Sequence, residues 1–495
     1  MAVVATGSAA ASIEQYCVSR PPASGGRVAR RQVRCVPVAR PPRQTGRMYA
    51  ELTGRVHGPV LTPGAPGFDD ELAGFQTGEP HRPDVLVGAE DAADVAAAVT
   101  FAAEHDLPVA VHATGHGRGA GLDGGVVVST HRMRGVRVYP DTGVAHIGAG
   151  ARWAQVAAAA AEHGLAPLSG SFPAVGVVGY LLGGGLGLLG RRYGWAADHV
   201  RAIELVTADG VARRATADTE PELFWALRGG REPLAVVTAV EVALFAVPQV
   251  VGGGLFFAAT DAPQVLPAVR AIGAEAPDEL GVSLGAIDIP DLPAVPAPLR
   301  GRQVLHVRLV DAAPEGGAAT DAAERLGAAG EVLLGGIRAM PYPESGSIFA
   351  EPEAPHAYRG TNVLVTELDD AMLADIVAGA GTAAVPCVVD VRRLGGALGR
   401  APEVPDAVSF RDAAWIVRVL SSTDGHRTEA VDAQHADVLR PLDPVRRGRS
   451  AGFLYGPVPA APDELHEPET LAALRRLRDR VDPDGRFGAM SRIAK

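Results

Sequence analysis

Apolar and polar positions follow one rhythm before Pro248 and another after it. Upstream, short apolar runs alternate with stretches of helical period. Residues 82–113, "RPDVLVGAEDAADVAAAVTFAAEHDLPVAVHA", predict a strand, a helix and a strand. Asp91 stands at the helix N-cap, and Val95, Val99 and Ala102 share one helical face. Short glycine-broken strands follow at 125–130, 135–140 and 144–150, then a helix over 152–164 with Gly164 as its C′ glycine. Residues 200–216 predict a hairpin turning at Asp209-Gly210, followed by a short helix at 222–230 and a strand at 235–245. Downstream, the strands at 303–310, 387–394 and 413–422 are longer, and helices at 318–329, 368–379 and 425–439 separate them. That order predicts an antiparallel sheet with helices on one face, and the chain as a whole reads as α+β. A last helix spans 469–483.

The pattern divides the chain into a first domain over 48–248, a second over 249–440, and a segment over 441–495 that returns to the first. At 495 residues and 47% apolar content, the chain can bury a core of that size. A net charge of −11 argues against nucleic acid as a partner. Residues 1–47 differ: they hold eight arginines and one acid, Glu14. They read as a disordered basic leader, or as the product of a mis-assigned start with Met48 the true first residue. Cys17, Cys35 and Cys387 lie too far apart for a metal motif or a disulfide scaffold. No apolar run of about 18 residues predicts a membrane span, and no apolar segment follows the twin arginines Arg30-Arg31 to make an export signal. The expected location is cytoplasmic.

Candidate chemistry concentrates in two glycine-rich stretches. In "VHATGHGRGAG" (111–121), His116 stands between glycines directly after a strand, where bare backbone allows close approach of a bulky ligand. In 175–194, Gly185, Gly187 and Gly190 match the GxGxxG spacing of a dinucleotide turn, and Asp209 lies 19 residues beyond Gly190. That reading, and with it an NAD-dependent dehydrogenase, fails on context. "YGWAAD" interrupts the required helix, and Asp209 lies in a hairpin turn. Gly176, Gly179, Gly183 and Gly184 extend the bare backbone, which suits a planar or pyrophosphate-bearing ligand as well as it suits a packing loop.

Taken in order, "ATGHG", "LSGSFPAVGVVGYLLGGGLGLLGRRYGWAADHVRAIELVTADG" and "ELFWALRGG" resemble the p-cresol methylhydroxylase/vanillyl-alcohol oxidase superfamily of FAD proteins. Within it, the chain is similar to berberine-bridge-enzyme-like FAD-linked oxidases of actinobacterial type. The resemblance is strong over residues 80–248 and weaker at 389–400 and 474–487. It implies a two-part FAD-binding domain of the p-cresol methylhydroxylase type, plus a substrate domain with an antiparallel sheet covered by helices. It also implies FAD bound covalently once, through His116, with Ala113, Thr114, Gly115 and Gly117 at the pyrophosphate. Ser169, Gly170, Phe172, Val175, Gly176, Gly179, Tyr180, Gly183, Gly184 and Val236 complete the implied cofactor contacts.

The departures from the family matter too. Phe172 stands where many relatives carry a cysteine that makes a second flavin link, and His112 where an arginine is commoner. Val175 matches the oxygen-permissive members. After "ALRGG" the family's "GGNFGVVT" is replaced by "REPLAVVT", Arg231 to Thr238, which alters a segment that approaches the flavin. On the substrate side, Tyr455 is the candidate proton acceptor and Arg393 the candidate for orienting an anionic or phenolic group. Trp153, Trp195, Trp225 and Trp415 read as core. The implied reaction takes hydride from an alcohol, sugar or amine-type small molecule, such as a secondary-metabolite intermediate, and O2 then reoxidises the flavin to give H2O2. A redox-neutral flavin-containing cyclase or isomerase and a degenerate non-catalytic flavoprotein are the alternatives. Small-molecule substrate and O2 are the expected partners, with neither nucleic acid nor membrane, and the oligomeric state is open.

Overall fold

The computed structural model describes residues 49–493. The leader over 1–47 expected from sequence, with Cys17 and Cys35, lies outside the described residues.

The first domain is built on two sheets. In one, Val85–Gly88, Val126–Ser129 and Val109–His112 run parallel, with Val60–Leu61 added antiparallel at one edge. These strands read as nearly unbroken valine because both faces are covered, except at Val111, which is exposed. Val95, Val99 and Phe101 of the crossover helix Ala92–Glu104 pack on one side, and Phe68 and Leu122 on the other. Asp91 caps that helix as predicted, its side chain accepting from Asp94 N at 2.9 Å. The other sheet is antiparallel, in the order 136–139, 144–148, 236–243, 200–206, 212–215. Its hairpin turns at Gly210 with φ +75°, as the Asp-Gly pair foretold.

The second domain is an eight-stranded sheet whose pairings are all antiparallel. Strand parity sorts its two faces. Leu305, Val307, Leu309, Val389, Val391, Val417 and Val419 join helices Ala262–Glu275, Gly317–Ala329, Asp370–Gly381 and Thr428–Leu439 in one core. Each fully buried aliphatic side chain there contributes about 1.5–3 kcal/mol. The intervening residues, among them His306, Arg308, Asp390, Arg392 and Arg418, belong to the opposite face. The chain returns to the first domain later than expected from sequence. Arg446–Gly448 still pairs with Tyr358–Val365 of the large sheet, so the return follows Gly448 rather than 441. Helix Pro468–Val481 then buries Leu471, Leu474 and Leu477 in the core that holds Leu223 and Phe224. Among the described residues, no helix is long and apolar enough to cross a membrane.

Candidate active site

A groove of about 330 Å³ runs between the loop after strand Val109–His112 and the glycine-rich segment around helix Val177–Leu182. It opens into a second cavity of about 150 Å³ against the polar face of the large sheet. His116, Phe172, Val175 and Tyr455 border both spaces.

The loop is shaped by Gly115, whose φ of +70° and approach to Gly74, where an added Cβ would lie 2.8 Å from Cα, leave room for no other residue. It carries His116 into the junction of the two spaces. The imidazole stacks on Phe75 (centroids 4.2 Å apart, planes at 10°) and meets Phe172 nearly edge-on at 5.4 Å. Its Nδ1 lies 3.0 Å from Thr114 Oγ1, and that oxygen also accepts from Gly176 N at 3.3 Å. Nε2 is buried and has no partner among the described residues. Burial first, then the neighbouring Arg152 and His356, pushes the imidazole down to about 3, so it is neutral at physiological pH. Such a ring is a competent nucleophile or acceptor.

Of the remaining sequence candidates, Ala113, Thr114, Gly117, Gly170, Gly176, Gly179, Tyr180 and Gly183 line the groove with His116, Gly115, Phe172 and Val175. Four others lie elsewhere. The Ser169 hydroxyl turns behind the wall to Tyr342 Oη at 2.8 Å, and its neighbours Gly170 and Ser171 line the groove instead. Gly184 packs against Trp195 and Val408. Val236 is in the core of the parallel-sheet layer, and Ala235 and Val237 face the groove. Arg393 is the main correction. Its guanidinium donates to Gly273 O (3.0 Å) and Ala414 O (2.7 Å) and lies over Trp415. Strand parity turns it to the helix side and gives the cavity to Arg392.

The floor of the smaller cavity carries a charged cluster not foreseen from sequence. Asp390 is met by Arg308 at 2.5 Å, Arg392 at 2.8 Å and Arg418 at 3.5 Å. Burial opposes its ionisation, but the three guanidinium groups overcome that and hold it well below the usual carboxylate range. Its charge is therefore fixed. Glu351, across the cavity, is hydrogen-bonded by Ser171 Oγ. Tyr455 reaches the junction opposite His116, its ring 5.4 Å from that of Tyr358. Burial raises its phenol, with Arg418, Arg392 and Arg231 pulling the other way. The available signal for this cluster was charge at one parity of three largely apolar strands, "QVLHVRLV", "CVVDVRRL" and "AAWIVRVLSS", with Arg393 alone at the other parity.

The groove suits FAD on its own terms. Buried polar groups are seldom left without partners, yet among the described residues His116 Nε2, Arg118 Nε and Tyr180 Oη all lack one. Arg118 and Arg231 bring positive charge to a wall of bare glycine backbone, a setting for phosphate oxygens. Residues 113–117 and 176–183 would hold the diphosphate and the flavin side of the cofactor.

Comparison with known proteins agrees. Residues 83–216 match the FAD binding domain family. The (R)-6-hydroxynicotine oxidase of Paenarthrobacter nicotinovorans is 36% identical over 197 residues, 39% of this chain and 43% of that protein. The chain thus spans about two fifths of the length of such curated relatives. Across the whole fold, the BBE-like 1 protein of Physcomitrella patens matches with a TM-score of 0.78 at 16% identity, over 90% of this chain and 99% of that one. The glucooligosaccharide oxidase of Acremonium strictum, described with a 6-S-cysteinyl, 8 alpha-N1-histidyl FAD, matches at 0.74 and 20% identity, over 89% and 97%.

Proposed function

We propose, from the premise that this chain is a berberine-bridge-enzyme-like flavoprotein of the p-cresol methylhydroxylase/vanillyl-alcohol oxidase superfamily, that it is an oxidase. Its substrate is a small alcohol, sugar or amine, in keeping with a cytoplasmic role in tailoring a secondary-metabolite intermediate. FAD, when bound, supplies the hydride-accepting centre that O2 returns to its oxidised state with release of H2O2. The observation that carries this reading is His116: a neutral, stacked imidazole with one nitrogen unpartnered, where the glycine-walled groove meets the charged cavity.

His116 is the residue to tether the cofactor covalently. Phe172 has no sulfur for a second link, so the attachment is single. In the smaller cavity, Tyr455 is the residue to exchange a proton with the substrate, either directly or through water; burial keeps its phenol protonated, and the nearby Arg418 and Arg392 offset only part of that. Asp390 holds those arginines in place rather than acting as the base, because its charge is fixed. Phe75, Phe172 and Tyr358 exclude water from the reacting carbon.

The test is an absorbance spectrum before and after acid precipitation. Yellow colour that stays with the pellet, and moves to the supernatant in His116→Ala, supports the tether. Colourless protein that takes up no added FAD overturns the whole reading. Substrate-dependent H2O2 separates an oxidase from a redox-neutral flavoprotein, which would form product without it.

A further inference from the structure

We propose that Arg231 supplies the side-chain cation for the cofactor's diphosphate. The idea rests on the FAD reading above and concerns a residue that replaces the family's usual sequence at this point.

Arg231 follows Gly229-Gly230 and adopts φ +53°, a left-handed conformation that strains a non-glycine residue. Its own N–H donates to Leu182 O at 2.9 Å, which fixes the main chain at the edge of the groove. From there the guanidinium bridges the two walls. Nη1 donates to Gly179 O at 2.9 Å and Nη2 to Gly117 O at 3.0 Å. Both walls are bare where it lies: a Cβ at Gly117 would stand 2.8 Å from Nη2, and one at Gly183 would stand 3.1 Å from Nη1.

Among the described residues no acid balances this charge, and Arg231 bonds only to carbonyl oxygens. The same holds for Arg492 nearby, and Arg118 adds only a histidine nitrogen. Glu232, the next residue, is turned to Ser491 Oγ, and burial raises its carboxyl towards the neutral form. Burial also lowers the Arg231 guanidinium. A half-buried cation without a counter-charge carries part of that desolvation cost, and an arriving anion removes it.

The position selects the anion. Arg231 and Arg118 line the long groove and not the smaller cavity, so the charge meets the cofactor rather than the substrate. When FAD binds, Arg231 exchanges the Gly117 and Gly179 carbonyls for phosphate oxygens, a charge-assisted pairing its planar fork makes well.

The experiment uses the full chain carrying His116→Ala, so that flavin binding is reversible, and follows quenching of flavin fluorescence. Adding Arg231→Gln should weaken FAD by about 10- to 100-fold and leave riboflavin, which has no diphosphate, unchanged. Arg231→Lys should recover part of the loss. Inorganic pyrophosphate should compete with FAD in the parent protein, and that competition decides the matter should Arg231→Gln not fold. Equal FAD affinity in folded Arg231→Gln, equal losses for FAD and riboflavin, or no competition by pyrophosphate in the parent would each overturn the proposal. Wild-type protein that carries no flavin and takes up none fails at the earlier step, and is distinguishable from all three.

Discussion

Asp406→Asn should make the protein relatively more stable as pH rises. Asp406 is buried where the loop over 404–411 crosses the first domain. Arg411 Nη2 pairs with Asp406 at 2.8 Å and with Asp198 Oδ1 at 2.6 Å. One guanidinium thus serves two carboxyl groups. The same loop is pinned to the "ALRGG" segment: Ala407 N donates to Arg228 O at 2.9 Å, and Arg228 Nη1 to Val404 O at 3.3 Å. Burial, with a hydrogen bond to Asp198, raises the Asp406 carboxyl from 3.8 to about 7. The native state then keeps a proton that the unfolded chain releases near pH 4. The sign follows: stability from this group is complete below about pH 4 and is lost as pH rises through about 7. At 1.36 kcal/mol per unit, the loss is about 4 kcal/mol. Asparagine imitates the protonated acid and can still donate to Asp198, so the variant has nothing to lose. Urea unfolding of both proteins at several values between about pH 5 and pH 8 gives the test, read as the difference between them. That difference should move in favour of Asp406→Asn across the range. A difference that stays constant, or moves towards the wild type, refutes the shared-proton arrangement.

The wild type itself should be acid-labile. His81, His435 and His466 are held at about 4, and His112 and His116 at about 3, each chiefly by burial. These depressed values mean that the unfolded chain gains protons first. Their share of the stability is complete above about pH 6.5 and falls progressively below it, outweighing the opposite trend from Asp406, and a melting temperature flat between about pH 4 and pH 7 would contradict this. Asp390→Asn leaves three arginines facing a neutral amide and should cost about 3–5 kcal/mol in urea unfolding. A loss below about 1 kcal/mol would mean that the cluster relaxes at no cost.

Much of the cofactor groove was legible because glycine is a conformational signal. Gly115 and Gly183 stand where main chain meets main chain. At Gly183 an added Cβ would lie 2.9 Å from Gly452 Cα, and no other residue type makes such a contact readable from sequence. The position of His116 follows from that shape. The charged cavity was less legible because it is made by the pairing of distant strands. Asp390 and Arg418 are opposite one another only through the register of Val388–Arg393 with Trp415–Ser422, and Arg308 reaches them through a third strand. A one-residue error in facing moves every side chain to the other side of the sheet, which is the whole distance between choosing Arg393 and finding Arg392. The apolar neighbours carried the needed parity. Val389 and Val391 face the helices, so Asp390 and Arg392 face the cavity. Arg231 was harder still. Its altered surroundings were visible as a departure from the family's usual sequence, but a left-handed turn at a residue with a Cβ has no sequence signature, and only that turn brings a charged side chain across the groove.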